Sequence, residues 1–321
     1  MKKEDLRIVF MGTPEFAVAT LQALVEGGCH VVAVVTQPDK PVGRHGSVLQ
    51  KPAVKVYAEE HGLPVLQPEK MKDPGFVEQL RAYRADLQVV VAFRMLPEVV
   101  WDMPRLGTFN VHAALLPQYR GAAPINWAII GGETKTGVTT FFLDHQIDTG
   151  RIILQKTFDI PDDADAEQVY NGLMQLGAQA ATETIDRIVA ADGHPESTAQ
   201  EQLLSNAEAL KPAPKLFKEN CQIDWHLPAK RVYDFIRGLS PVPGAWTCDA
   251  DGHIYKVYVS GKTQFPVTAA PGTVVADRRH LYVCCQDLLL ELLQLQPAGK
   301  KRMEAQAFLN GTRNADSIVF E

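Results

Sequence analysis

Arg7-Ile8-Val9-Phe10-Met11-Gly12-Thr13-Pro14-Glu15 reads as a strand, a tight turn and the opening of a helix. An apolar run stops at a glycine; threonine then offers a cap, proline takes the first helical position and an acid sits in the first turn. The helix so begun should run to Glu26 and stop at Gly27-Gly28. The rhythm repeats along the chain. Residues 30–36 form a Val-rich run without polar alternation, the mark of a strand buried on both faces. Residues 52–61 read as a helix stopped by Gly62, 64–66 as a strand, 76–84 as a helix, 87–92 as another Val-rich strand and 165–191 as a long helix. Strands alternating with helices predict an α/β fold built on a doubly wound, mostly parallel sheet.

Past this point the pattern changes. Residues 192–214 are polar and irregular, with Gly193, Pro195, Pro212 and Pro214. A helix at 228–237 then precedes short β-like stretches at 246–248, 255–260, 273–276, 281–285 and 288–294. Asp251-Gly252, Gly261 and Pro271-Gly272 supply turn signals between them, so a small β-barrel is expected. The domains expected are therefore residues 1–191 and 211–321, joined by a linker at 192–210.

Composition excludes several classes. The leading apolar run, Ile8 to Met11, is too short for a signal segment, and nowhere do about 18 apolar residues run together. A cytoplasmic protein without a membrane segment is expected, and a monomer. Five cysteines (Cys29, Cys221, Cys248, Cys284, Cys285) are too few and unpaired in number for a secreted disulfide framework. With neither Cys-x-x-Cys nor His-Glu-x-x-His spacing, no zinc site is expected. The net charge of −6 sits in the front of the chain. Residues 1–200 carry 18 Lys/Arg against 25 Asp/Glu, and residues 201–321 carry 14 against 13. A basic face on either part stays compatible with these totals, because binding depends on distribution.

The chemistry lies in Phe109-Asn110-Val111-His112-Ala113-Ala114-Leu115-Leu116-Pro117-Gln118-Tyr119-Arg120-Gly121-Ala122-Ala123-Pro124. On a strand Asn110 and His112 share a face, and the strand runs out into a loop marked by proline and glycine. Ligand sites in open α/β sheets form at such carboxyl ends. A second polar cluster, Asp144-His145-Gln146-Ile147-Asp148-Thr149-Gly150, precedes an apolar strand at 151–155, so Asp148 can reach the same crevice. An amide, an imidazole and a carboxylate suit acyl transfer to an amine. The amide stabilises the oxyanion, the imidazole handles the proton near neutral pH, and the carboxylate orients the ring. The plainer alternative makes His112 a hydrogen-bonded core residue and Asp148 a turn residue. Gly12-Thr13-Pro14 lacks the later glycines of a dinucleotide fingerprint, which disfavours a nicotinamide enzyme. That turn is open to presenting backbone N–H groups to a phosphate.

These motifs make the chain similar, nearly end to end, to the methionyl-tRNA formyltransferases. The resemblance is carried by Met11-Gly12-Thr13-Pro14-Glu15-Phe16-Ala17, Gln37-Pro38-Asp39-Lys40-Pro41, Gly43-Arg44, Gly62-Leu63-Pro64-Val65 and the two polar clusters. Ile223-Asp224-Trp225 and the run from Leu295 to Met303 extend it. The resemblance implies a Rossmann-like catalytic domain followed by a smaller OB-like barrel that binds tRNA. It implies transfer of the formyl group of 10-formyltetrahydrofolate to the amino group of methionyl-initiator-tRNA, with no metal. Asn110 would hold the oxyanion, His112 would take the amine's proton, and Asp148 would position His112. The folate would lie along Ala114, Leu115, Leu116 and Pro117 and the loop bearing Phe93, Met95 and Leu96. Two departures stand out: Ala114 replaces the family's usual serine, and the segment from Phe93 to Pro97 is one residue short and lacks a glycine.

Between Gln37 and Lys51 the chain carries Lys40, Arg44, His45 and Lys51 against one acid, Asp39. The resemblance makes this the loop that enters the tRNA acceptor arm, with Lys40, Arg44 and Lys51 as contacts. Such a loop attracts phosphates without reading bases. Lys211, Lys215, Lys218, Arg237 and Lys300-Lys301-Arg302 could extend the track, while Trp225 and Trp246 read as core anchors. An alternative that keeps the trio is a folate-dependent formyltransferase acting on a small amine, such as a nucleotide amino-sugar; another is a catalytically silent tRNA-binding protein.

Overall fold

The computed structural model describes residues 2–42, 48–204 and 209–321. The chain divides into two compact units. One comprises Met1–Arg120, Thr136–Phe158 and Tyr170–Lys211, and the other Gly121–Lys135, Asp159–Val169 and Pro212–Glu321.

In chain order the elements begin with β1 (Arg7–Gly12), α1 (Glu15–Glu26), β2 (His30–Val35), β3 (Lys40–Val42), β4 (Val48–Gln50), α2 (Ala53–Glu60) and β5 (Val65–Leu66). There follow α3 (Pro74–Ala82), β6 (Leu87–Val91), α4 (Glu98–Trp101), β7 (Thr108–His112), α5 (Pro124–Ile130), β8 (Lys135–Phe142), β9 (Ile152–Asp159) and α6 (Ala166–Ala190). The main sheet of the first unit has the order β5-β2-β1-β6-β7-β8-β9. Pairing is parallel from β5 to β7 and antiparallel between β7 and β8. This is the doubly wound, mostly parallel Rossmann-like arrangement. Ile8, Val9, Phe10 and Met11 of β1 are all fully buried, as expected of a central strand covered on both faces. Val9 and Met11 join Phe76, Val77 and Leu80 of α3 in one core cluster. Each such side chain is worth about 1.5–3 kcal/mol when fully buried. α3 begins at Pro74, two residues before the expected start, because Asp73 caps it. The Phe76 N–H donates to the Asp73 carboxylate at 2.9 Å.

The sequence reading did not single out β8. Its third residue, Gly137, looks like a breaker, yet a Cβ there would stand 2.1 Å from the Lys156 carbonyl oxygen. Glycine is what lets the neighbouring backbone approach.

The second unit adds α7 (Ala229–Gly238), β10 (Ala245–Cys248), β11 (Ile254–Pro266), β12 (Val274–Ala276), β13 (Leu281–Cys284), β14 (Leu288–Pro297), β15 (Met303–Glu304) and α8 (Ala305–Gly311). The chain contacts place residues 121–135 and 159–169 here, where the sequence reading kept them in residues 1–191. A physical reason is visible in α7. Asn126 of α5 donates to the Gly238 carbonyl at 2.8 Å, and Arg237 pairs with buried Asp234 at 2.8 Å while donating to the Ala164 carbonyl at 2.8 Å. Arg237 is itself buried, so it holds this core together and is not the tRNA contact suggested by sequence. Trp225 is 2% exposed, a core anchor as read.

The antiparallel sheet runs β10-β11-β14-β13-β12, with β15 beside β14. β11 is longer than the expected 255–260. It continues through Gly261, which pairs with Glu291, and the added length is accommodated by register shifts. The two edges of this OB-like sheet are not paired with each other among the described residues. Both are covered by one short segment instead: Phe320 bridges Asp249 beyond β10, and Val319 bridges Thr273 before β12. The Glu321 N–H donates to Cys248 and the Phe320 N–H to Gly272, each at 2.8 Å. The segment thereby bonds at both edges, joined at β10 by the Ile223 N–H, which donates to the Trp246 carbonyl at 2.8 Å. The Phe320 ring pins it, lying 6.0 Å from Trp225 and 5.2 Å from Tyr255 between ring centres. Phe320→Ala is expected to cost the second unit about 3–5 kcal/mol, read as a lower midpoint in chemical denaturation. An unchanged midpoint would show that this ring does not hold the edges.

Candidate active site

The chain leaves β1 for β2 and β5 on one side, then returns to place β6 on the other side of β1. The crevice opened by such a reversal lies at the carboxyl ends of the strands. Gly12, Val91 and His112 end β1, β6 and β7 there. A Cβ at Gly12 would stand 2.6 Å from the Ala17 Cβ and 3.0 Å from the Val91 carbonyl, so glycine lets α1 start hard against the sheet. The first-turn N–H of Phe16 is taken by the Tyr170 hydroxyl at 2.9 Å and is not offered to a ligand.

β7 registers Asn110 with Val90 of β6 and His112 with Thr139 of β8. The two polar residues lie on the same face, about 7 Å apart along the strand. Asn110 is half-buried, and no hydrogen bond joins its amide to another side chain or backbone group among the described residues. His112 is 6% exposed. Its Nε2 lies 2.9 Å from the Tyr119 carbonyl oxygen. A carbonyl only accepts, so Nε2 carries the hydrogen, and Nδ1 is the nitrogen left to exchange a proton. That Nδ1 stands 3.9 Å from Asp148 Oδ2, the Asp148 side chain being 13% exposed. The structure thus brings two residues together that are 36 positions apart, within one short adjustment of a hydrogen bond.

The plainer reading of these residues is answered in part. His112 is buried and hydrogen-bonded, as that reading requires. The turn at 144–149, however, is stapled by Asp144, whose Oδ1 accepts from the Gln146 N–H at 2.9 Å and the Thr149 hydroxyl at 2.7 Å. Asp148 is left facing the imidazole in a left-handed conformation, φ 56°. Asp144 was visible in the sequence but was not assigned this work.

The segment expected to line a folate is mostly interior. Ala114, Leu116 and Pro117 are buried, and Leu115 alone keeps a half-exposed side chain. Thr139 holds the segment: its hydroxyl donates to the Ala114 carbonyl at 2.6 Å and accepts from the Leu116 N–H at 3.1 Å. The Gln155 amide adds a bond to the Leu116 carbonyl at 2.8 Å. Contacts from Ala114, Leu116 and Pro117 would therefore come through backbone. In the other loop Leu96 is buried, Phe93 is half-buried and Met95 is 72% exposed. The Arg94 guanidinium anchors that loop through the Glu69 carbonyl at 2.8 Å and the Pro68 carbonyl. Burial pushes its pKa down.

Of the expected tRNA contacts, Arg44 lies outside the described residues, as does His45. Lys40 is exposed on β3, which pairs antiparallel with the exposed β4. Lys51 is tied to Glu59 at 2.7 Å, a hydrogen bond that raises its pKa. Asp39, the acid of this region, is held below the usual carboxylate range by the Gln67 amide and by Lys55. The basic region thus keeps its acid neutralised from behind. Among the described residues one group has the spacing to hold a metal ion: Asp249, Asp251 and His253 of the second unit. Its Asp249 carboxylate is already occupied by the Asp251 and His253 N–H groups and the Tyr255 hydroxyl.

Gly150 closes the turn that carries Asp148. A Cβ there would fall 1.6 Å from the Phe142 carbonyl oxygen, so Gly150→Ala must displace the turn. We expect a loss of about 1–3 kcal/mol in unfolding free energy and faster amide exchange across residues 146–150. Wild-type exchange rates would refute the close packing.

Comparison with known proteins is consistent with this geometry. Residues 6–185 match the formyl transferase family and residues 215–313 the formyl transferase C-terminal domain. The methionyl-tRNA formyltransferase of Parabacteroides distasonis is 59% identical over 316 residues, 97% of each chain. That of Bacteroides fragilis is 55% identical, covering 97% of this chain and 96% of its own. Among solved structures, the N-formyltransferase from Helicobacter canadensis in complex with folinic acid and dTDP-3-aminofucose has a TM-score of 0.64. It is 19% identical and covers 91% of this chain and 99% of its own, a likeness of fold. With a curated relative this similar along almost its whole length, the chain belongs to the methionyl-tRNA formyltransferase family.

Proposed function

We propose that this chain transfers the formyl group of 10-formyltetrahydrofolate to the α-amino group of methionyl-initiator-tRNA, with Asn110, His112 and Asp148 as its catalytic groups, in the cytoplasm. The observation that supports the catalytic assignment most directly is the approach of Asp148 to His112 at 3.9 Å, beside the uncommitted amide of Asn110. Family membership, at 59% identity to a curated relative, supports the substrate pair. No helix among the described residues is long and apolar enough to cross a membrane.

The residues suit a tetrahydrofolate-type formyl donor. The amide of Asn110 is free to donate to a formyl oxygen, and the exposed side chains of Met95 and Ile147 offer apolar surface on the loops nearby. In the reaction the amine nitrogen bonds to the formyl carbon, and the carbonyl electron pair moves onto oxygen. Asn110 donates to that oxygen as its charge builds, the term usually largest in such reactions. His112 takes the proton that the amine must shed, through Nδ1, and Asp148 stabilises the imidazolium so formed. The carbon–nitrogen bond to the folate then breaks, and the proton leaves with that nitrogen. An α-amino group with a pKa near 8 is partly neutral at pH 7, so no side-chain nucleophile is required.

On the tRNA side Arg44, Lys40 and Lys51 attract phosphates without reading sequence. Release of Lys51 from Glu59 would be part of its use, since the two are paired here.

The deciding experiment is mass-spectrometric detection of N-formylmethionine on tRNA after incubation with 10-formyltetrahydrofolate. Formylation of a free amino-sugar without tRNA would favour the small-amine alternative instead. His112→Ala should cut turnover by about 10²–10⁴ with the fold intact. Near-normal turnover would remove the imidazole from the mechanism. Arg44→Ala should weaken use of tRNA and reduce the dependence of binding on salt, by roughly one unit in the log–log slope. The same slope in variant and wild type would take Arg44 out of the contact.

A further inference from the structure

Gln200 is fully buried in a segment that the sequence reading took for a linker, and its primary amide is committed at both ends. Its Nε2 donates to the Asp148 carbonyl at 2.8 Å and to the Gly150 carbonyl at 2.9 Å. Its Oε1 accepts from Arg120 Nε at 3.1 Å and Nη2 at 2.7 Å. The orientation of the amide is unambiguous, because a guanidinium only donates and a carbonyl only accepts. The two carbonyls it grips flank Thr149 and belong to the turn that aims Asp148 at His112. Asp148 itself has φ 56°, a conformation that L side chains adopt at a cost and that persists only where the surroundings impose it.

We propose that Gln200, oriented by Arg120, is a positioning residue that sets the Asp148 turn and so holds the carboxylate in register with His112. The proposal rests on the reading of His112 and Asp148 as the proton-handling pair. Only a primary amide supplies two N–H donors on one side and an acceptor on the other in so small a volume. A glutamate in its place would keep the bond to Arg120 but turn an oxygen toward two carbonyl oxygens, pushing the turn away. A methionine would fill the space and make neither set of bonds. Arg120 lies in the motif between Pro117 and Pro124, and this gives it a role beyond sequence resemblance.

The test compares Gln200→Glu, Gln200→Met, Asp148→Asn and the double variant Gln200→Glu/Asp148→Asn in steady-state formyl transfer across pH, with thermal unfolding alongside. Gln200→Glu and Gln200→Met should each lower kcat by about 10–100-fold, the scale for a residue that orients a catalytic side chain. The KM for tRNA should stay within about twofold, since the loss lies in the chemical step. The acid limb of the kcat–pH profile should move, because the imidazole loses its partner's placement; a purely structural lesion leaves that limb where it was. The double variant should be no slower than Asp148→Asn alone, because Gln200 acts through that carboxylate. Additive losses, an unmoved pH profile or a change confined to KM would overturn the proposal. If Gln200→Glu does not fold, the methionine variant reads out the same rate and pH limb. Near-wild-type turnover in Asp148→Asn would instead overturn the His112–Asp148 reading itself, an outcome separate from additivity in an impaired background.

Discussion

One hydrogen bond fixes the imidazole at the end of β7: the Nε2–H of His112 donating to the Tyr119 carbonyl at 2.9 Å. With that nitrogen committed, Nδ1 is the only ring site left to take up or release a proton, and it is the one beside Asp148. Without the bond the ring could present either nitrogen to the carboxylate 3.9 Å away. The bond also ties the end of β7 to a loop seven residues further on, so ring and loop must be placed together.

Placing them takes backbone strain. Tyr119 and Asp148 approach the imidazole from different loops, and both are left-handed, with φ of 60° and 56°. Non-glycine residues in that region cost of order 1–3 kcal/mol each and need support from elsewhere. The support comes from one stretch of chain. The Tyr119 N–H donates to the Lys211 carbonyl at 2.6 Å, and the Asp148 carbonyl is held by Gln200 at 2.8 Å. The polar, irregular residues that look like a tether by composition are folded against the first unit, in the part Tyr170–Lys211.

That mismatch shows what the sequence could and could not reveal. The Val-rich strands were legible because burial on both faces leaves an unbroken apolar pattern; the helix after Gly12 was legible too, although Pro14 stands at its N-cap, Glu15 opens it and Thr13 makes no side-chain cap. Asn110 and His112 were legible because strand alternation puts them on one face. β8 was obscured by Gly137, which serves close approach to a neighbour far away in sequence, and β11 by Gly261, a turn signal that here simply continues the strand in register. Arg237 was misread for a related reason: a positive charge in sequence says nothing about whether Asp234 waits to pair with it in the interior. Thr139, Gln155 and Gln200 gave no signal at all, because an uncharged polar residue declares its role only through the partner it meets.

The division of work between Asp144 and Asp148 follows from the same geometry. A carboxylate oxygen that accepts from nearby N–H and hydroxyl donors holds the turn in which those donors lie. Asp144 Oδ1 is used in this way by Gln146 and Thr149, within five residues of itself. Asp144 on one side and Gln200 on the other bond to the turn, and the Asp148 carboxylate stands 3.9 Å from the ring. The polar cluster between β8 and β9 is in that sense a mount with two acids of different duty, and its sequence order alone does not distinguish them.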